Sequence, residues 1–204
     1  LSIPLSVDVS GNSPLDTDFG RLVLSIMRLL RNISDHLSWR TILKLRRNQI
    51  GNGIIGSLLD ECRIKGLSFF ELLIAIEEES VVLDRYNNRI KQELDTIKTF
   101  VNSVVEKYDI DNFSNEEFVS LSNEITNWVT DDTEVREEIS TYINDQIREA
   151  QITSLIDALL LLETTGIDIE QEIDRNSVNM LTMHKAKGLT SEAVIVLACE
   201  DEII

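Results

Sequence analysis

The sequence predicts a mainly α-helical chain with a few β-strands at its two ends. Three observations lead there. From residue 16 to residue 162 the apolar residues recur at spacings of three and four. Both ends break that period with β-type runs, an alternating one at Ile3–Val9 and continuous ones after Val178. The composition, 43% hydrophobic with two prolines in 204 residues, suits a folded chain whose helices run uninterrupted.

Taken in order, Ile3–Val9 alternates apolar and polar residues and is bounded by Ser10-Gly11-Asn12-Ser13-Pro14, so it reads as a short strand and a loop. A first helix follows, with Asp16 or Thr17 as its cap and Phe19, Leu22, Val23, Ile26, Met27, Leu29 and Leu30 inward. A second spans about Asp35–Arg46, with Leu37, Ile42, Leu43 and Leu45 inward. Asn48-Gln49-Ile50-Gly51-Asn52-Gly53 reads as a turn, and a third helix, Ile54–Ile64, ends at Gly66. Ser68 caps a fourth, Phe69–Glu78. Leu83–Tyr108 is expected to be a long helix with Tyr86, Ile90, Leu94, Ile97, Val101 and Val104 on one face. Ser114-Asn115-Glu116-Glu117 has the form of a capping box, opening a helix that reaches about Trp128. Asp131 and Asp132 open the next, and Thr153 or Ser154 starts a short apolar helix, Leu155–Leu162. Val178–Met183 and Ala193–Ala198 then read as buried strands joined by a polar loop.

The formal net charge is −17, which by itself speaks against a nucleic-acid binder, but the charge is unevenly placed. Residues 21–66 hold nine Lys/Arg against three acids, a +6 island, while 67–204 carry −20. Such an island is expected where one face meets phosphate and the rest stays solvated, and a solvated helix face is the plain alternative. Cys62 and Cys199 form no CxxC and give no disulfide framework, so a reduced intracellular, cytoplasmic protein is expected. No apolar stretch approaches the roughly 20 residues that span a bilayer. The chain opens on Leu1 and is expected to be a piece of a longer protein. His36, Trp39 and Trp128 read as helix and core residues, and no cluster of metal ligands appears in the sequence.

The loop after Val178 carries the chemistry. Thr182 and His184 stand two apart on an extended run, so a hydroxyl and an imidazole point the same way and can both donate to a phosphate oxygen. Lys185 and Lys187 add positive charge, and Gly188 lets backbone approach a ligand closely. The bland counterpart is a charged turn with one incidental histidine.

Met180-Leu181-Thr182-Met183-His184-Lys185-Ala186-Lys187-Gly188-Leu189 resembles motif V of the UvrD/Rep/PcrA group of superfamily 1 helicases. Thr182, His184, Ala186, Lys187, Gly188 and Leu189 match that pattern, and apolar strand-like runs flank it. The family usually has an acidic residue where this chain has Thr190, with Glu192 two positions on. The resemblance implies a helical insertion subdomain (2B-like, about 15–170) attached to a few β-strands of a RecA-like α/β lobe (2A, about 1–14 and 171–204). It implies DNA contacts by Thr182, His184 and Lys185, and puts Lys187, Gly188, Leu189 and Thr190 near the nucleotide. Early in the insertion the family has a Gly-Ile-Gly turn between helices that holds duplex DNA. Arg46, Arg47, Gln49, Ile50 and Gly51 are the counterpart here, Gln49 standing for the first glycine. An ordinary inter-helix turn is the alternative.

The parent implied is an ATP-dependent DNA helicase using ATP and Mg, with single-stranded DNA, the duplex junction and the remaining helicase domains as partners, and no membrane. This chain has no Gly-x-x-x-x-Gly-Lys-Ser/Thr loop, so it is expected to bind no cofactor and catalyse nothing alone. Two rivals stay open: an acidic helical protein-interaction module with a degenerate helicase fold, and part of a RecB/AddA-like helicase–nuclease.

Overall fold

The computed structural model describes residues 5–7, 13–46, 51–83, 86–148, 150, 152–164 and 178–180. Contacts divide the chain into two units, residues 1–10 with 167–204, and residues 11–166. In the first, β1 (Leu5–Val7) and β2 (Val178–Met180) pair in parallel, with Leu5 opposite Val178 and Val7 opposite Met180. Parallel neighbours require a crossover connection, and here the whole second unit lies between them in the sequence. The expected run Ala193–Ala198 lies outside the described residues.

The second unit is helical: α1 (Asp18–Arg31), α2 (His36–Leu45), α3 (Gly51–Lys65), α4 (Phe69–Glu77), α5 (Asn87–Lys107), α6 (Asn115–Val129), α7 (Thr133–Arg148) and α8 (Leu155–Thr164). A 3-10 turn, Pro14–Asp16, precedes α1. The caps explain the boundaries. Thr17 accepts from the Gly20 N–H at 3.1 Å, and Asp35 accepts from the Leu37 N–H at 3.3 Å. Gly66, at φ +65°, ends α3, and the Leu67 N–H reaches back to the Cys62 carbonyl at 3.1 Å, the long bond of a Schellman motif.

Two capping boxes are complete. The Ser114 N–H donates to Glu117 at 2.8 Å while the Ser114 hydroxyl accepts from the Glu117 N–H at 3.3 Å, and Ser68 with Glu71 repeats the arrangement. The hydrogen bonds from Ser114 hold the Glu117 carboxyl below its ordinary pKa. Ser114→Ala is expected to cost about 1 kcal/mol of stability. Thermal unfolding followed by circular dichroism checks this, and an unchanged midpoint would refute it.

α1 is the central helix, packed against α2, α5, α6 and α8. Val23, Ile26 and Met27 are wholly buried, as are Leu58 of α3, Leu72 and Leu73 of α4, and Ile90, Leu94 and Ile97 of α5. Each such side chain contributes about 1.5–3 kcal/mol of hydrophobic stabilisation.

Several expectations are corrected. Phe19, Leu37 and Tyr86 are exposed (38%, 40% and 40%), because each sits at or just before the first turn of its helix, where no neighbouring helix covers it. The expected Asn48–Gly53 turn overlaps α3. Gly51, Asn52 and Gly53 belong to α3, since the first N–H groups of a helix need no partner within it and glycine is tolerated there. Among the described residues no helix is long and apolar enough to cross a membrane.

Candidate nucleic-acid interface

α2 and α3 pack against each other. The turn expected to meet DNA falls between them. Arg47, Gln49 and Ile50 lie outside the described residues, and Gly51 is the first residue of α3. An α-helix that starts there offers N–H groups without acceptors of their own, and such groups suit an anion. Gly53 is exposed, and a Cβ built on it would meet nothing within 4 Å. Thr182, His184, Lys185, Lys187, Gly188, Leu189 and Thr190 all lie outside the described residues, two to ten positions beyond the end of β2 at Met180.

Arg46 is the one cation of this turn whose side chain is described, and it faces inward. It ends α2, its N–H donating to the Ile42 carbonyl at 3.0 Å. Its guanidinium carbon lies 3.9 Å from the ring centre of Trp128 on α6. Nη1 stands 3.5 Å from Oε2 of Glu93 on α5, a residue only 5% exposed. Phe100 of α5 stacks on the same indole, 4.4 Å between centroids and 10° from parallel. Desolvation lowers the pKa of Arg46, and the Glu93 carboxylate opposes that shift. A cation–π contact of this kind contributes about 0.5 kcal/mol when exposed and about 2 kcal/mol when desolvated. Here it ties the end of α2 to both α5 and α6.

The remaining cations of the basic island divide in two. Arg28 donates through Nε to Glu163 at 2.8 Å and joins α1 to α8. Arg63 lies 3.6 Å from Asp60, and Lys65 3.8 Å from Glu61, so α3 largely offsets its own charge. Arg21 and Arg31 on α1, with Arg40 and Lys44 on α2, make no ion pair among the described residues. Arg40 and Lys44 stand one turn apart on the outer side of α2, half-buried and exposed respectively.

The aromatic stack is not legible in the sequence. Trp128 reads there as a core or interface residue, but nothing in the spacing of residues 46, 93, 100 and 128 brings them together. Only the fold does so, by setting the end of α2 beside side chains of α5 and α6.

The model of the UvrD-like helicase C-terminal domain matches residues 15–204. The chain is similar to the ATP-dependent DNA helicase Rep of Buchnera aphidicola, 24% identical over 89% of this chain and 30% of that protein. It is also similar to the ATP-dependent DNA helicase PcrA of Bacillus subtilis, 22% identical over 89% of this chain and 26% of that one. The chain thus spans less than a third of the length of either relative. With the family model covering both the helical unit and the residues after β2, the chain belongs to the UvrD-like helicase C-terminal domain family.

Proposed function

We propose that the chain is part of an ATP-dependent DNA helicase or translocase, in which it supplies DNA contacts and one wall of the ATP cleft. The observation that carries this reading is the Thr182-to-Leu189 motif, lying within the family match and entered from a strand of a parallel pair. Loops at the ends of parallel strands are where α/β lobes bind their ligands.

In this reading the 11–166 unit is the 2B-like insertion and the β1–β2 unit belongs to the RecA-like lobe 2A. Thr182, His184 and Lys185 hold a phosphate of the single strand. Lys187, Gly188, Leu189 and Thr190 lie toward the nucleotide, whose Mg and triphosphate supply the hydrolytic chemistry in the parent. Thr190 is neutral where the family usually has a carboxylate, so its part is a hydroxyl hydrogen bond and not a charge. The segment with Arg46, Arg47, Gln49, Ile50 and Gly51 meets the duplex, presenting backbone N–H groups at the start of α3.

A duplex with a single-stranded tail is the probe. The chain is expected to bind it with an affinity that falls steeply and linearly in log–log form with salt, as counterion release requires. It is expected to release no phosphate from ATP alone. The Thr182→Ala, His184→Ala pair should weaken single-strand binding. Tailed duplex bound no better than a polyanion such as heparin would reject the DNA reading and favour an acidic interaction module. A clear ATPase rate would overturn the assignment of hydrolysis to the rest of the parent.

A further inference from the structure

We infer that the groove along α5 beside Trp128 is a docking site for an arginine side chain on a basic segment of a partner protein. The inference stands apart from the DNA reading and concerns the acidic part of the chain.

The groove is open and shallow, lined by Asp95, Thr96, Thr99, Phe100 and Ser103 of α5 and by Trp128 of α6. The α5 residues share one face of the helix by their spacing. Asp95 and Thr99 are exposed, and both aromatic rings are half-buried. Asp95 makes no ion pair among the described residues. The two lysines within one turn of it, Lys91 and Lys98, are held by Glu79 and Glu77 instead.

The polar lining selects a donor. Thr96 donates its hydroxyl hydrogen to the Gln92 carbonyl at 2.8 Å and Ser103 to the Phe100 carbonyl at 2.7 Å, so both oxygens are left as acceptors. A phosphate in the groove would face the Asp95 carboxylate, and no lining residue is a cation that could offset the repulsion. A guanidinium has five N–H donors and no acceptor, and its plane can lie on an aromatic ring while its edge meets a carboxylate.

The chain already uses this pairing once. Arg46 lies 3.9 Å from the ring centre of Trp128 with Glu93 3.5 Å from its Nη1. Phe100 and Asp95 offer the same two kinds of group to the groove, and among the described residues no cation of the chain lies on either. Long-range charge points to the same partner. All six lining residues fall within the stretch 67–204, which carries −20, so a basic segment is drawn in and a nucleic acid is repelled.

Tryptophan emission reads the site, because Trp39, the other tryptophan, is wholly buried. The chain is titrated at about 0.15 M salt, where distant charges are screened, with an end-blocked tetra-arginine peptide, its tetra-lysine counterpart and a single-stranded oligothymidine. Saturable quenching by tetra-arginine is expected, with tetra-lysine binding more weakly. Asp95→Asn and Phe100→Leu are each expected to weaken tetra-arginine binding about fivefold, the size of one exposed ion pair or cation–π contact. Glu116→Gln removes an exposed acid at the far end of α6 from Trp128 and is expected to leave binding unchanged.

Should Phe100→Leu unfold the chain, Asp95→Asn against Glu116→Gln decides alone. Equal weakening by those two variants would mean that the peptide senses only net charge, and it overturns the site, as does quenching that never saturates. Equal binding of the two peptides overturns the choice of arginine. Oligothymidine that quenches as strongly as tetra-arginine gives the groove to nucleic acid and overturns the proposal.

Discussion

Trp39→Ala is expected to lower the unfolding free energy by about 3–5 kcal/mol, the largest effect of any single side-chain truncation proposed for this chain. Trp39 is wholly buried at the middle of α2. Its indole N–H donates to the Ile33 carbonyl at 2.6 Å, and its ring stacks on Phe70 of α4, 6.0 Å between centroids. Alanine would remove the anchor that fastens α2 to the α1–α2 connection on one side and to α4 on the other, leaving a cavity that the surrounding helices fill only in part. Domains are stable by about 5–15 kcal/mol, so this loss leaves a marginal fold. Trp39→Phe separates the contributions. It keeps much of the buried ring and gives up the hydrogen bond, at an expected cost from that bond of about 1 kcal/mol. Urea unfolding followed by circular dichroism, with the slope unchanged between variants, measures both. Equal stability of Trp39→Ala and wild type would show that α2 is not held through this residue.

The contrast between what the sequence foretells and what only the fold reveals follows from the range of the interactions. Thr17, Asp35, Ser68 and Ser114 act within three residues of themselves, and each helix begins where its cap places it. The inward stripe of α5, Ile90 to Val104, is likewise written in a period of 3.6. Period alone does not say how far along each helix the stripe is covered, which is why Phe19 and Leu37, in the first turns of α1 and α2, end up exposed. Long-range roles are further out of reach. Asn115 reads in sequence as one position of a capping box. In the fold its amide donates to the Ala150 carbonyl at 2.8 Å and the Ile147 carbonyl at 3.3 Å, and accepts from the Ile152 N–H at 3.4 Å, closing the end of α7. Arg46 is the same kind of case at the candidate interface. Charge and neighbouring residues give it a phosphate, whereas Trp128, 82 positions away, gives it a stacking partner. The motif from Thr182 to Leu189 is legible for the opposite reason, because its chemistry is contiguous in the chain.

The same logic decides the sign of a substitution that helix propensity gets wrong. Alanine is favoured over glycine in a helix interior by about 1 kcal/mol, so Gly20→Ala in α1 should stabilise if propensity ruled. A Cβ on Gly20 would lie 2.2 Å from the Pro14 carbonyl oxygen and 2.4 Å from the Leu15 Cα, separations no real Cβ shows. The obstacle is backbone, so no rotamer change relieves it. The 3-10 turn would have to move away from α1, carrying with it Leu15, which is 4% exposed, and disturbing the Thr17 cap whose oxygen accepts the Gly20 N–H. Gly20→Ala is therefore expected to destabilise by about 3 kcal/mol, the upper end for overpacking, after the propensity gain is set against it. Gly56 in α3 is the control, because a Cβ there meets nothing within 4 Å. Gly56→Ala is expected to stabilise by up to about 1 kcal/mol. One chemical change at two helical glycines should thus move the urea midpoint in opposite directions. A midpoint raised by Gly20→Ala would mean that the Pro14–Asp16 turn does not pack on α1, and that α1 begins free of it.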